Sequence, residues 1–225
     1  FQMRNVRLLI SSFLCVFGAA TSQAQMPIIR TYAGTGAGAY GGDNGPATAG
    51  VLNNQYMINL DPAGNNLYIA DNGNNRVRRV NISTGIITTV AGTGTGGSSG
   101  DGGPATAAQL GASGFGTPGV VGVCADGSGN VFIADGSNHT IRKVDASGII
   151  TTIGGITGSA GFSGDGGPAT AAQTRNPRGI CVDLAGNVYF TEGSSGGGGS
   201  TTRVRKIDAA GIITTIAGNG SAGYT

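Results

Sequence analysis

His139 is the only histidine among the 225 residues, and it stands in the turn-like string GSNHT. A zinc centre needs three or four ligands around one ion, so a single imidazole cannot build it and an ordinary surface turn residue is expected. Cys124 and Cys181 have no histidine or cation beside them in sequence to lower a thiol pKa, so neither is expected to act as a nucleophile. Asp43, Asp101 and Asp165 sit in near-identical strings, GGDNGPATAG at 41–50 and SGDGGPATAA at both 99–108 and 163–172. Each string offers one carboxylate where calcium takes several oxygens, so the expected role is capping a Gly-rich turn. Basic residues recur in pairs, Arg78-Arg79, Arg142-Lys143 and Arg205-Lys206, and read as a stripe along a solvated strand face. Asp71 and Arg76 flank the string NGNN and read as an ion pair closing a hairpin. No catalytic, cofactor-binding or metal-ligating set emerges, and no cofactor is expected.

The elements that position these residues follow from the spacing of the three aspartates, 58 and 64 residues apart. Four segments recur in each period. In the middle copy they are GVVGVCAD (119–126), NVFIAD (130–135), TIRKVD (140–145) and GIITTIGG (148–155). Each is a short β-branched, aromatic or alternating run bounded by Gly, Asn and Asp, which is strand chemistry. The links DGSGN, DLAGN, DASG and DAAG let an Asp cap a tight turn while a Gly takes positive φ. Four antiparallel strands per long repeat predict an all-β chain of β-propeller blades, at about 51–92, 115–155 and 177–218. The string IIRTYAG (28–34) matches a fourth strand and is expected to be the outer strand of another blade. The aspartate-bearing string becomes the crossover from one blade's outer strand to the next blade's inner strand.

The repeat also bears on the cysteines. Cys124 and Cys181 fill the same slot of successive inner strands, so their Cβ vectors should not converge as a disulfide requires. Two buried, free thiols are expected. The same slot holds Asn59 in the first copy, a poor set for a metal in a central channel.

The strings GNNLYIADNGNNRVRRVN (64–81) and NPRGICVDLAGNVYF (176–190), with the repeated GDGGPATA linker, resemble the blades and linkers of bacterial secreted NHL-repeat proteins. The resemblance covers essentially all of residues 25–225. It implies a propeller that usually closes with six blades, about three of which are present here. The fold so implied is similar to that of propeller lyases and lactonases, which gather their ligands at the central channel. Some NHL propellers bind RNA through basic faces.

Residues 1–24 read as a secretory signal peptide, with the basic stretch MRNVR, the apolar LLISSFLCVFGAA and small residues before the cut. Phe1 and Gln2 precede the expected start, Met3. No later segment is apolar enough to span a membrane as a helix. Arg4 and Arg7 belong to the leader, so 13 basic residues become 11 against 11 acidic ones, and the +2 charge disappears. A neutral secreted chain is a poor nucleic-acid binder. The chain stops within a fourth copy of the motif (AGNGSAGYT at 217–225) and reads as truncated. Asn81, Asn138 and Asn219 begin N-x-S/T sequons, open to glycosylation in an extracellular protein. The expected function is a secreted, non-catalytic binding, adhesion or scaffold module for an extracellular protein or glycan. Two alternatives are a self-assembling structural protein joined through exposed blade faces, and a lactonase- or lyase-type enzyme whose site lies in absent blades.

Overall fold

Asp126 shows how a blade is turned. Its backbone N–H donates to the Asn130 carbonyl, and its Oδ1 accepts the N–H groups of Ser128 and Asn130 at 2.9 Å each. Asp183 repeats this with Ala185 and Asn187, and Asp145 and Asp208 cap the later turn of each blade in the same manner. The strands on either side therefore have no choice but to return antiparallel.

The structure, a computed structural model, describes residues 30–111, 119–193 and 202–221. The expected leader at 1–24 and most of the Gly-rich insertion between Glu192 and Arg203 lie outside them. Three four-stranded antiparallel sheets result. The first holds β1 (Gln55–Leu60), β2 (Asn66–Asp71), β3 (Arg76–Asn81) and β4 (Ile87–Ala91). The second holds β5 (Val120–Ala125), β6 (Val131–Asp135), β7 (Thr140–Val144) and β8 (Ile150–Gly154). The third holds β9 (Ile180–Val182), β10 (Val188–Glu192), β11 (Arg203–Ile207) and β12 (Ile213–Ala217). Each sheet runs in sequence order, as a propeller blade does. No helix among the described residues is long and apolar enough to cross a membrane.

Blades pack face to face. Tyr68, Ala70, Val77 and Ala91 of the first meet Val123, Ile133, Val144 and Ile150 of the second in one buried cluster. Phe132 and Ile141 of the second meet Ile180, Phe190, Ile207 and Ile213 of the third in another. Each buried Val, Ile or Phe among them contributes about 1.5–3 kcal/mol when removed from water. At the open face of the first blade Ile58 and Leu60 remain 60% and 51% exposed, where their second-blade equivalents Val123 and Ala125 are buried.

The recurring linker does more than cross over. Pro46, Pro104 and Pro168 bridge antiparallel to Ile86, Ile149 and Ile212 at the start of each outer strand. Gly102 and Ala105 donate to the carbonyls of Ile150 and Gly148, and Ile150 donates back to Gly103. The linker thus lies along the outer edge of the blade it leads into and satisfies groups that would otherwise template aggregation. Ala47, Ala105 and Ala169 turn inward beneath it and are buried.

No strand forms over 30–34, the described part of the outer strand expected at 28–34. Its pairing partner would be the third strand of a further blade, and none is present among the described residues. Gly34 nevertheless donates to Ala47, as Gly92 does to Ala105 and Gly155 to Ala169.

Gly155 has φ +87°, and a Cβ there would stand 2.2 Å from the His139 carbonyl oxygen. Gly127 has open space around it. Gly155→Ala is expected to lower stability by about 1–3 kcal/mol, and Gly127→Ala to change it by less than about 0.5 kcal/mol. Paired denaturant titrations check this.

Candidate functional site

Strand alternation divides the basic stripe into two sets. Arg78, Arg142 and Arg205 are buried to within 1% of completely, whereas Arg79, Lys143 and Lys206 lie on the opposite face and keep contact with solvent. The expectation of a solvated face is therefore corrected for the first member of every pair. The register between third and fourth strands slips by one residue beside each of these arginines.

Each buried guanidinium is held by the linker. Arg78 Nη2 meets Asp43 Oδ1 at 2.6 Å, Arg142 Nη2 meets Asp101 Oδ1 at 2.5 Å, and Arg205 Nη2 meets Asp165 Oδ1 at 2.7 Å. Linker carbonyls take further Nη donors: Arg142 gives to Gln109 at 2.8 Å and Ser99 at 3.3 Å, and Arg205 to Gln173 and Ser163 at 2.8 Å each, while the buried Nε of all three arginines is left without a hydrogen-bond partner. The linker aspartates are arginine clamps, which corrects their expected role as turn caps. Burial works against the charge of Asp43, but hydrogen bonds from Thr89, Tyr40 and Arg78 outweigh it and hold the carboxyl below its usual value. The same balance, with Thr152 and Arg142 or Thr215 and Arg205, lowers Asp101 and Asp165.

A second acid closes each centre from the end of the second strand. Arg78 lies 3.4 Å from Asp71 and Arg205 lies 3.4 Å from Glu192. Asp135 is within electrostatic reach of Arg142, while its oxygens accept from Gly111 N–H at 3.0 Å and Asn138 Nδ2 at 2.9 Å. Burial pushes all three of these acids up, Asp135 to about 6, against the opposing pull of hydrogen bonds and arginine.

The expected Asp71–Arg76 pair does not form. Asp71 is drawn inward by Asn53 N–H at 2.8 Å and Asn74 at 2.9 Å, and its cation is Arg78. Arg76 stacks instead on the Tyr40 ring, 3.6 Å from its centre, as Arg203 stacks on Phe162 at 3.6 Å. At the equivalent positions of the middle blade stand Ser98 and Thr140, so the pair is lost from both sides together. That joint loss was the sequence signal for this contact.

His139 is not a plain surface residue. It is half-buried in left-handed backbone (φ 59°), its Nδ1 accepts the Asn176 N–H at 3.2 Å, and its carbonyl accepts the Thr174 hydroxyl at 2.6 Å. Burial, reinforced by Arg175, lowers its pKa. It fastens the second blade to the approach of the third. Asn75, its counterpart, adopts the same left-handed backbone, which His and Asn tolerate better than most residues.

Cys124 and Cys181 are both free. Cys124 is buried between blades, and burial, with Cys181 and Asp126 nearby, pushes its thiol up to about 12. Cys181 is exposed, correcting the expectation of two buried thiols, because no further blade covers its face among the described residues. Asn59, in the same slot, is half-buried. Asn81 and Asn219 spend their side-chain oxygens on local turns, toward Ser83 and Thr84 and toward Ser221. Asn138 directs its amide nitrogen at Gly97 O, Gly111 O and Asp135. Among the described residues no group of three or more His, Cys, Asp or Glu side chains could hold a metal ion.

A polar cleft opens where the turn ends of the first two blades meet. It has a volume of about 350 Å³, and Asp61, Asn65, Tyr68 and Arg79 line it from one blade with Asp126 and Ala146 from the other. Burial, and then the two carboxylates, raise the Tyr68 phenol, against the influence of Arg79.

Three repeated sheets, packed blade on blade and laced by one recurrent linker, define a β-propeller of the NHL class. The family described as the teneurin NHL domain matches residues 49–163 and 156–224, and the chain belongs to that family of NHL-repeat propellers. No curated protein matches the sequence. Among solved structures, a structural genomics protein of unknown function from Bacteroides thetaiotaomicron is similar at 24% identity and a TM-score of 0.51, over 75% of this chain and 36% of its own. Virginiamycin B lyase from Staphylococcus aureus matches at 17% identity and 0.44, over 73% and 41%. A gluconolactonase from Xanthomonas campestris matches at 12% and 0.45, over 73% and 47%. The chain therefore spans less than half the length of each, and the likeness establishes the fold alone.

Arg142→Ala strands a buried acid and two linker carbonyls, and is expected to cost about 3–5 kcal/mol. Asp101 is 45% exposed, but its loss leaves the buried Arg142 Nη2 with the Ser99 carbonyl alone, so Asp101→Ala is expected to cost about 1–3 kcal/mol, less than the loss of Arg142. Urea unfolding of both variants checks the ratio. A second expectation concerns pH. Asp135 titrates near 6 when folded and near 3.8 as an ordinary aspartate, so its contribution favours the fold at low pH and is lost as pH rises through 6. The lowered linker aspartates act in the opposite sense, losing their contribution as pH falls below the ordinary carboxylate range. Between about pH 4 and 6 the melting temperature of the wild type should fall relative to Asp135→Asn. Parallel melting curves across that window would refute the assignment.

Proposed function

We propose that the protein is a secreted, non-catalytic propeller that binds an extracellular glycan or protein. The observation that supports this best is the placement of its perturbed acids. Strongly shifted carboxyls in a cleft suggest catalysis. Here Asp71, Asp135 and Glu192 occupy the same position in three blades, inside the sheets, each bonded to backbone N–H and facing a buried arginine. Threefold repetition of one locked arrangement suits a scaffold, because an active site is assembled once.

A second reading, self-association, draws on the exposed Ile58 and Leu60 at one open face and Ile216 (51% exposed) at the other. The contact between the first two blades supplies a template for pairing the third blade of one copy with the first of another. Sedimentation of the whole chain across a concentration series tests it: growth in mass is expected on this reading, and a concentration-independent monomer would remove it.

The binding reading is tested by screening the purified chain on immobilised glycans and peptides beside assays for ester, lactone and glycoside cleavage. Retention without turnover is the expected result. Turnover abolished by a point substitution in this chain would overturn it.

A further inference from the structure

We infer that the cleft between the first and second blades is a binding site for a neutral saccharide, an assignment that rests on the binding-module reading above. Its volume of about 350 Å³ lies at the small end of the range for small-molecule sites. The acceptors are fixed in advance. Asp61 Oδ1 takes the Asn65 N–H at 2.7 Å and its Oδ2 takes Asn66 Nδ2 at 2.7 Å. Asp126 is pinned by Ser128, Asn130 N–H and, at 2.6 Å, Asn130 Nδ2. Both carboxylates keep lone pairs for an incoming hydroxyl, having already lost their rotational freedom to the turns.

The donors are the Arg79 guanidinium, on a solvent-exposed residue, and the phenol of Tyr68, a residue only 4% exposed. Vicinal hydroxyls can donate to a carboxylate while accepting from a guanidinium, so a polyol meets both sets at once. An anionic ligand would face two carboxylates. A simple amine would face Arg79.

The next junction lacks this set. Phe132 replaces Tyr68, and Lys143 replaces Arg79 with its ammonium 5.8 Å from the Phe132 ring. There the far aspartate, Asp183, has Oδ2 engaged by Tyr189 at 3.0 Å. The first turn is also one residue longer, DPAGNN against DGSGN, and the added Asn65 lines the cleft. Of the two blade junctions among the described residues, the first alone carries this set, whereas the arginine clamps recur in every blade.

The test titrates the whole chain with N-acetylglucosamine, mannose and lactose in turn, and with n-butylammonium, followed by two-dimensional amide NMR. Saccharide binding should perturb amides at 64–66 and 127–129. Tyr68→Phe and Arg79→Lys, which install the residues of the second junction, should each weaken it about tenfold without shifting the melting temperature. Lys143→Ala should leave it unchanged. Saccharide binding elsewhere, indifference to both variants, or binding of the amine alone would overturn the site and leave the binding-module reading standing. Failure of all three sugars beside retention on immobilised peptides would do the same, whereas cleavage of lactose would overturn the module reading itself.

Discussion

A guanidinium shut away from water is costly unless every strong donor direction is answered, and this protein accepts that cost once per blade. Arg78, Arg142 and Arg205 each join three pieces of chain that are distant in sequence: the third strand that carries them, the end of the second strand, and the linker ahead of the blade. Displacing the linker strands a buried cation, so the linker cannot drift. The position of the linker in turn fixes the inward alanines and the bridging prolines. Packing between blades is less specific than this. Aliphatic faces would tolerate some sliding, and the arginine clamps remove that freedom.

The linker resolves a problem peculiar to radial sheets. The outer strand of a blade shows one side to solvent and has unpaired N–H and C=O groups along it. Here Asn44, Ala47 and their counterparts donate into that edge, and Ile87, Ile150 and Ile213 donate back. A short, Gly-rich segment can follow a twisted edge closely, and its proline presents no surplus N–H to the far side. Edge protection and arginine binding come from the same ten-residue string. A near-identical string in all three copies is what both demands together would produce.

Much of the fold was legible because its signals are local. Alternating runs between Asp- and Gly-bearing turns specify strands and hairpins, and repetition at a fixed spacing specifies blades. What escaped was tertiary in origin. Arg78 and Arg79 are equivalent in composition, and only the two-residue alternation of β3 sends one inward. Asp43 pairs with Arg78 across 35 residues, a contact that neither local turn chemistry nor charge counting reveals. His139 looked like an isolated turn residue because its partner, Asn176, belongs to the approach of the next blade. The exposure of Cys181 follows from what does or does not lie against the third blade, a property outside its own repeat.

Comparison among the three copies separates scaffold from the rest more sharply than any single blade could. Positions filled alike, such as the linker aspartate and the inward arginine, answer a demand made by every blade. Positions that change in concert, such as Tyr40 with Arg76 against Ser98 with Thr140, show contacts that one blade can do without. Positions that change singly at a junction are free of both demands. Tyr68 against Phe132 and Arg79 against Lys143 are of this last kind: the apolar bulk and the positive charge persist for packing and balance. The hydroxyl is lost in the second blade, returns as Tyr189 in the third, where it is engaged by Asp183, and is joined by a planar donor fork in the first blade alone of the three. Those two features add little that a blade needs in order to fold. They are the chemistry that a ligand would recognise, and recognition therefore falls to that cleft rather than to the more strongly shifted charges inside the sheets.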